Sequence, residues 1–121
     1  MKRVLLDENL PQPLRHELAA FDVVTVGFMG WSGIQNGELV SLIDDDFDVL
    51  LTGDQNLRYQ QNLQGRRVAI VELPFTRFDQ NLLVLPDVID AISHSTTGSY
   101  TQLTKKKQNK SEQAKPRKPS D

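Results

Sequence analysis

The sequence predicts a single α/β domain built on a mainly parallel sheet of about four or five strands flanked by helices. Short apolar runs of strand length alternate with segments whose leucines and isoleucines recur at helical spacing, and no internal repeat is visible. Strands that alternate with helices in this way pair in parallel through right-handed crossovers. At 121 residues with 38% hydrophobic residues, the chain has the size of one domain with a single core.

The first half of the chain contains three strand patterns and two helix patterns. The run RVLL (3–6) predicts the first strand, and LPQPLRHELAAF (10–21) predicts a helix with leucines on one face and prolines near its start. The run DVVTV (22–26) predicts the second strand. The segment NGELVSLIDDD (36–46) predicts the next helix, and FDVLLT (47–52) predicts the third strand.

The second half continues the alternation. A helical segment, NLRYQQNL (56–63), precedes RRVAIVEL (66–73), which predicts the fourth strand. The segment NLLVLPDVIDAIS (81–93) predicts a helix with a break at Pro86, and SYTQL (99–103) predicts one more short strand.

The charge is divided unevenly between the body of the chain and its C-terminal segment. The formal net charge is −2, yet residues 102–121 hold seven Lys or Arg against two acids, which leaves seven against fourteen for residues 1–101. A segment rich in Lys, Gln, Ser and Pro, with almost no apolar residues, cannot bury enough surface to order itself. We therefore predict a folded domain over residues 1–103 and a disordered basic tail over residues 104–121.

The composition excludes several classes of function. Because there is no cysteine, thiolate catalysis, disulfides and sulfur-based zinc sites are excluded, and any metal must bind oxygen or one of the two histidines. Lys2 and Arg3 lead into only three apolar residues before Asp7, a pattern that predicts neither a signal peptide nor a membrane span. We expect a cytoplasmic protein with no membrane partner.

Carboxylates follow the strands at the edge where a parallel sheet usually binds its ligands. Asp7 and Glu8 come directly after the first strand, and Asp54 lies two residues past Thr52 at the end of the third. Glu38 lies near the start of the intervening helix, which begins on the same side of the sheet. If the first and third strands are close together, three segments of the chain direct carboxylates toward one place.

Such a cluster of carboxylates requires a cation or a proton, because like charges repel more strongly as water is excluded. Hard oxygen ligands suit Mg²⁺ or Mn²⁺, which retain several waters and complete their shell with phosphate. A metal of this kind lowers the pKa of bound water and stabilises charge on phosphate oxygens. The sequence therefore predicts metal-dependent phosphodiester hydrolysis, with Asp7, Glu38 and Asp54 as metal-binding and catalytic residues.

The motifs VLLDENLP, NGELV and VLLTGDQNL, in this order, resemble the small PIN-like (PilT N-terminus) family related to VapC-type toxin ribonucleases. The resemblance covers residues 1–95 and implies that the three carboxylates named above bind the metal. Four neighbouring residues would support them: Glu8, Asn9, Asn36 and Asn56. It further implies an endoribonuclease that uses Mg²⁺ or Mn²⁺ and is often encoded beside an antitoxin. The expected partners are therefore RNA, an antitoxin and, as an open option, a second copy of the chain in a homodimer.

Two departures from the family pattern open an alternative function. Asn36 and Asn56 stand where the family often has acids, and Leu57 stands where an aromatic residue is usual. Both asparagines remove negative charge from the expected site. The alternative is a PIN-like interaction module with weak or no catalytic activity.

Two further alternatives depend on the same residues. Asp7, Glu8 and Asn9 could simply cap the first helix, since such side chains accept N–H groups at helix starts. Asp54 could cap the helical segment that follows it, and Glu38 could be an ordinary first-turn glutamate. A receiver-like phosphoacceptor domain shares the α/β layout, so the fold alone does not exclude it. It would need a lysine at the end of the fifth strand, where the sequence offers only Lys105.

Candidate RNA contacts lie after Asp54 and in a glycine-rich loop. Arg58, Tyr59 and Gln61 follow Asp54 and could bind a ribose-phosphate backbone. Trp31, in the loop VGFMGWSG, could stack on a nucleobase, although an aromatic ring that anchors its own loop is the simpler interpretation.

Overall fold

A five-stranded sheet forms the centre of the structure, a computed structural model that describes residues 1–60 and 63–104. Neighbouring strands are parallel throughout, in the order β2-β1-β3-β4-β5. The strands are β1 Arg3–Leu6, β2 Asp22–Thr25, β3 Val49–Thr52, β4 Ala69–Glu72 and β5 Tyr100–Gln102. The predicted α/β class and all five strand positions are confirmed, while most of the predicted tail lies outside the described residues.

The described residues contain α-helices and 3₁₀ helices between the strands. The α-helices are α1 Asn36–Ile43, α2 Phe78–Leu83 and α3 Leu85–Ser93, and the 3₁₀ helices are Gln12–Leu18 and Leu57–Tyr59. None of these helices is long and apolar enough to cross a membrane.

The helix predicted for residues 10–21 is shorter than expected and has 3₁₀ rather than α geometry. Pro11 and Pro13 remove two backbone donors from its start, and a short 3₁₀ run is a common way to continue a chain from such a start. Leu14 and Leu18 are nevertheless buried, as their spacing predicted.

The two later helical predictions also need adjustment. Among the described residues of the predicted helix 56–63, Leu57–Tyr59 form a 3₁₀ turn that ends at Gln60, which is extended with φ −78° and ψ 132°. The break in the segment 81–93 falls at Val84 (φ −110°, ψ 12°), and Pro86 lies in the first turn of α3. Proline is tolerated in a first turn because its missing N–H would have no partner there. The helix therefore ends before the proline rather than at it.

Apolar clusters cover both faces of the sheet, as expected for parallel strands. Val4 and Leu6 of β1 point into one cluster with Leu14 and Ile92, which come from the first 3₁₀ helix and α3. Leu5 points to the opposite face and packs in a second cluster that includes α1. This arrangement fixes the sheet from both sides and leaves the loops at its two ends free to carry polar groups.

The turn after α1 lies at the amino ends of the strands, an edge that we call the amino rim. Asp44 accepts the N–H groups of Arg67 and Val68 at 2.7 and 2.9 Å, and Asp48 accepts the N–H of Arg3 at 2.8 Å. Partial burial disfavours the charge of Asp44, but the bonds from Val68 and Arg67 outweigh it and lower its pKa. These carboxylates join the starts of neighbouring strands.

Candidate active site

A cleft of about 760 Å³ opens at the other edge of the sheet, the carboxyl rim, where β1 and β3 end side by side. Six of the predicted site residues line it: Asp7, Glu8, Asn9, Asn36, Glu38 and Asp54. Because Leu6 and Leu51 are register partners, the residues that follow the two strands are brought together. The expectation that these segments meet at one rim is thus confirmed.

Asp7 is the most buried of these residues, with only 3% of its surface exposed. Its Oδ1 accepts the Glu8 N–H at 2.8 Å and its Oδ2 accepts the Thr52 hydroxyl at 2.7 Å. Burial raises the pKa of Asp7, and the hydrogen bonds from Thr52 and Glu8 offset only part of that effect. Asp7 therefore carries its negative charge at a cost in this cleft.

Thr52, the last residue of β3, connects two of the predicted ligands. Its hydroxyl is fully buried, donates to Asp7 and accepts the Asp54 N–H at 3.0 Å. One hydroxyl group thus fixes both the side chain of Asp7 and the backbone at Asp54. In the sequence, Thr52 marked the strand end and, with Asp54, formed part of the motif VLLTGDQNL, but its side chain was assigned no role.

Asp54 is half-buried, and its carboxylate accepts two hydrogen bonds. Asn36 donates its side-chain amide to Oδ2 at 2.8 Å, and the Asn56 N–H donates to Oδ1 at 2.9 Å. Asn36 also lowers the pKa of Asp7 by a side-chain hydrogen bond, after the larger effects of burial, Thr52 and Glu8. Asn36 therefore lies between the two aspartates, whereas Asn56 supports Asp54 through its backbone.

Glu38, Glu8 and Asn9 lie toward the open side of the cleft. Glu38 is exposed in the first turn of α1 and lines the cleft wall. The Glu8 carboxylate accepts the Gly33 N–H at 2.9 Å, and Asn9 Oδ1 accepts the Gly53 N–H at 3.1 Å. Glu8 and Asn9 thus hold two loops against the rim.

The capping alternative does not describe these residues. The first 3₁₀ helix begins after Pro11, and the second begins after Asn56, neither with a side-chain cap hydrogen bond. Asp7 instead accepts the Glu8 N–H and the Thr52 hydroxyl. Asp54 accepts the Asn56 N–H and the Asn36 amide. Only Glu38 occupies a position that also suits a helix dipole.

The side chains that could act as metal ligands decide what kind of metal would fit. Within residues 1–60 and 63–104, no group of three or more His, Cys, Asp or Glu side chains is arranged to hold a metal ion. Mg²⁺, however, commonly takes one or two protein carboxylates and completes its shell with water and phosphate. Asp7 and Asp54 fit that mode, since each carboxylate oxygen can accept more than the one donor described above. A three-carboxylate site that includes Glu38 stays a prediction.

The candidate RNA contacts have different surroundings. Trp31 is half-buried and packs edge-on against Phe47, with ring centroids 6.4 Å apart. Tyr59 is 72% exposed, and the Arg58 guanidinium lies over its ring at 5.0 Å. Gln61 lies outside the described residues. Their roles in RNA binding stay predictions, and Trp31 has the loop-anchoring contacts of the simpler interpretation.

Glu72 is a functional candidate that the sequence analysis missed. It ends β4, is 1% exposed, and accepts Arg58 Nη1 at 2.7 and 2.8 Å and the Tyr100 hydroxyl at 2.7 Å. Burial raises the pKa of Tyr100, and its hydrogen bond to Glu72 adds to the shift. The signal was available, since Glu72 is an acid near the end of the fourth strand pattern and so belongs to the same edge of the sheet as Asp7.

Comparisons of this chain with known protein families, curated proteins and solved structures found no match. The PIN-like resemblance therefore stays a prediction that depends on the motifs VLLDENLP, NGELV and VLLTGDQNL.

Proposed function

We propose that the protein is a metal-dependent endoribonuclease of the PIN-like type and the toxin of a toxin–antitoxin pair in the cytoplasm. The observation that carries this proposal is Asp7, which is 3% exposed yet lines an open cleft with Asp54 and Glu38. A buried carboxylate with a raised pKa beside other carboxylates costs folding energy, and such groups cluster at functional sites.

The side chains around the cleft have separable tasks in this proposal. Asp7 and Asp54 would hold the metal through carboxylate lone pairs that the hydrogen bonds from the protein do not use. Thr52 orients both, because its hydroxyl contacts the Asp7 carboxylate and the Asp54 N–H. Asn36 keeps Asp54 turned toward Asp7. Glu38, which is exposed and lines the same cleft, can accept a proton or bind the metal through water.

Mg²⁺ or Mn²⁺, when bound, would supply a water of lowered pKa and neutralise charge on the phosphate oxygens. Neutralisation of the Asp7 charge by a cation would also remove the cost of its burial. Metal binding and protein stability are therefore coupled, which gives the proposal a test that does not depend on the RNA.

The test compares melting temperatures in Mn²⁺ and in chelator for the wild type, Asp7→Asn, Asp54→Asn and Asp46→Asn. Asp46 is an exposed carboxylate at the amino rim and serves as the matched control. Mn²⁺ should raise the melting temperature of the wild type and of the control but not of the other two variants. Both cleft variants should lose Mn²⁺-dependent RNA cleavage. Equal Mn²⁺ shifts in all four proteins, or none in any, would reject the shared metal site.

One observation favours the interaction module as a second candidate. The Asn36 amide donates to Asp54 where the family often has an acid, so a protein group already satisfies one of its oxygens. In that case Asp7 and Asp54 would stabilise the rim, and a partner such as an antitoxin would bind there without hydrolysis. Two results together would favour this candidate: the wild type takes up no Mn²⁺, and the Asp7→Asn variant still binds the partner.

The strand order 2-1-3-4-5 is also that of receiver domains, so the topology does not by itself separate the two classes. The fifth strand ends at Gln102, an amide rather than the amine that a receiver needs. Acetyl phosphate labelling of Asp54 is the measurement that would revive this alternative.

A further inference from the structure

Phe28 is an aromatic residue that the structure leaves in water, with 82% of its surface exposed. It lies in the loop between β2 and α1, whose other large apolar side chains point inward. Met29, Trp31 and Ile34 all pack against the apolar cluster on the α1 face of the sheet. The exposure of Phe28 is therefore a property of this one position and not of a loop that lacks packing.

Hydrogen bonds hold the backbone around Phe28 in place. The Phe28 N–H donates to the Thr25 hydroxyl at 3.0 Å, and the Met29 N–H donates to the Thr25 carbonyl at 3.2 Å. Further along the loop, the Trp31 N–H donates to the Val26 carbonyl at 3.1 Å, and Glu8 accepts the Gly33 N–H. The ring is thus presented by a loop that is fixed at both ends.

The same rim carries Phe28 and the cleft. Thr25 and Leu6 are register partners in parallel strands, so the residues that follow them emerge side by side. A second depression of about 260 Å³ lies there, and Gly27 lines it together with Asp7 and Glu8. Asp7 and Glu8 line both depressions, and Phe28 directly follows Gly27, so Phe28 lies at the same rim as the cleft.

We propose that Phe28 is the stacking platform for an unpaired nucleobase of the RNA whose phosphate occupies the cleft, an inference that rests on the proposed function. An aromatic face binds any base, and the energy of stacking does not depend on charge. That property suits this domain, because seven basic against fourteen acidic residues in 1–101 give it little electrostatic attraction for RNA. The substrate class is therefore single-stranded RNA, since the bases of a duplex are already stacked.

The platform is tested with the full chain and a short labelled single-stranded RNA, by fluorescence anisotropy with Ca²⁺ in place of Mn²⁺. The variants are Phe28→Ala, Phe28→Trp and Leu83→Ala, the last being a 62% exposed apolar residue of α2 on the opposite face of the sheet. Phe28→Ala should weaken binding by about 5- to 100-fold, the range of one base–aromatic stack. This loss should be the same at low and high salt, because no counterion is released.

The other two variants, a duplex and the melting temperatures serve as controls. Phe28→Trp should bind at least as tightly as the wild type, and Leu83→Ala should bind equally to it. A duplex of the same sequence should not distinguish Phe28→Ala from the wild type. Melting temperatures should be unchanged, since the Phe28 ring packs against little.

Three outcomes would overturn the inference. In the first, Phe28→Ala binds the single strand as tightly as the wild type. In the second, its loss is not restored by Phe28→Trp. In the third, the substitution changes the oligomeric state in size-exclusion chromatography, which would make Phe28 a protein contact. A wild type that neither binds nor cleaves single-stranded RNA would instead reject the proposed function together with the platform, so the two failures are distinguishable.

Discussion

Carboxylates gather at both ends of the sheet, but they are held in different ways. At the amino rim, Asp44 and Asp48 accept N–H groups from segments distant in sequence and so tie strand starts together. At the carboxyl rim, Asp7 and Asp54 accept N–H groups from the adjoining turns and are linked to each other through Thr52. The first arrangement stabilises the fold, whereas the second orients charges inside a cleft.

The pKa shifts at the two rims have opposite directions. The pKa of Asp44 is lowered, because backbone N–H groups and the Arg67 guanidinium outweigh the effect of its burial. The pKa of Asp7 is raised, because burial outweighs the hydrogen bonds that it accepts. A negative charge is therefore favoured at the amino rim and disfavoured in the cleft. Substitutions at the two rims test this contrast, and the largest effect on stability is expected for a residue that fits neither description.

Glu72 is that residue, since it lies at the carboxyl rim but is held as firmly as the amino-rim carboxylates. Glu72→Leu removes the partner of the partly buried Arg58 and of the Tyr100 hydroxyl. Because Arg58 keeps 30% of its side chain exposed, the free energy of unfolding should fall by no more than the lower end of the range for a buried ion pair, about 3 kcal/mol. Urea unfolding measures this loss, provided that the m-value is the same in the variant and the wild type. The matched control is Asp79→Leu, which breaks the exposed Arg77–Asp79 pair and should lower the stability far less, because both side chains are in water. Equal losses in the two variants would show that Glu72 is not a structural anchor.

A smaller loss is expected at Thr52, which joins the two cleft aspartates. Thr52→Val keeps the shape but removes the hydroxyl, so Asp7 Oδ2 loses its donor and the Asp54 N–H loses its acceptor. We expect a loss of about 1 to 3 kcal/mol in the free energy of unfolding. Thr52→Ser retains the hydroxyl and should recover most of it. If Thr52→Val unfolds at the urea concentration of the wild type, the link between the aspartates is not energetically significant.

The pH dependence of stability should distinguish the rims by sign. In metal-free protein at neutral pH, Asp7→Asn should be more stable than the wild type, because the variant carries no buried charge. As pH falls through the raised pKa of Asp7, the wild type binds a proton and the difference should shrink, vanishing below 3.8.

Asp44→Asn should behave in the opposite way. It should be less stable than the wild type at neutral pH, and this difference should be lost only as pH falls below 3.8 toward the lowered pKa of Asp44. Denaturant titrations of the three proteins between neutral and acidic pH measure both differences. Parallel pH profiles for the two variants would contradict the contrast between the rims.

The sequence predicted the sheet well because each strand has its own apolar run. The run VLLT is buried on both faces at the centre of the sheet, and apolar residues alone mark such a strand. The helices were predicted less well, because Pro11 and Pro13 decide the geometry of the first one and Val84 decides where α2 ends. Those effects depend on backbone hydrogen bonds that a spacing of leucines does not reveal.

The site was predicted in outline for a related reason. Asp7, Glu38 and Asp54 were found because parallel strands bring their carboxyl ends to one edge, a rule that requires only the strand positions. Glu72 was missed, although the same rule applies to β4. Phe28 was missed because its neighbours Met29 and Trp31 have equally apolar side chains, and only the folded loop decides which of them stays in water. The spacing of apolar residues in the sequence does not show which of these side chains is exposed.

The smallest effect on stability is expected from the predicted tail. The fifth strand is parallel to the others and ends at Gln102, so the last described residues lie at the carboxyl rim, where the cleft opens. Removal of residues 104–121 should leave the melting temperature unchanged, because their composition cannot build a core. It should instead weaken RNA binding, and most strongly at low salt, since seven basic residues displace counterions from phosphates. The binding isotherm of the truncated chain should therefore depend less on salt than that of the full chain. A melting temperature lowered by many degrees would place residues 104–121 in the fold. Equal RNA affinity of the full and truncated chains at low ionic strength would show that these residues do not contribute to RNA binding.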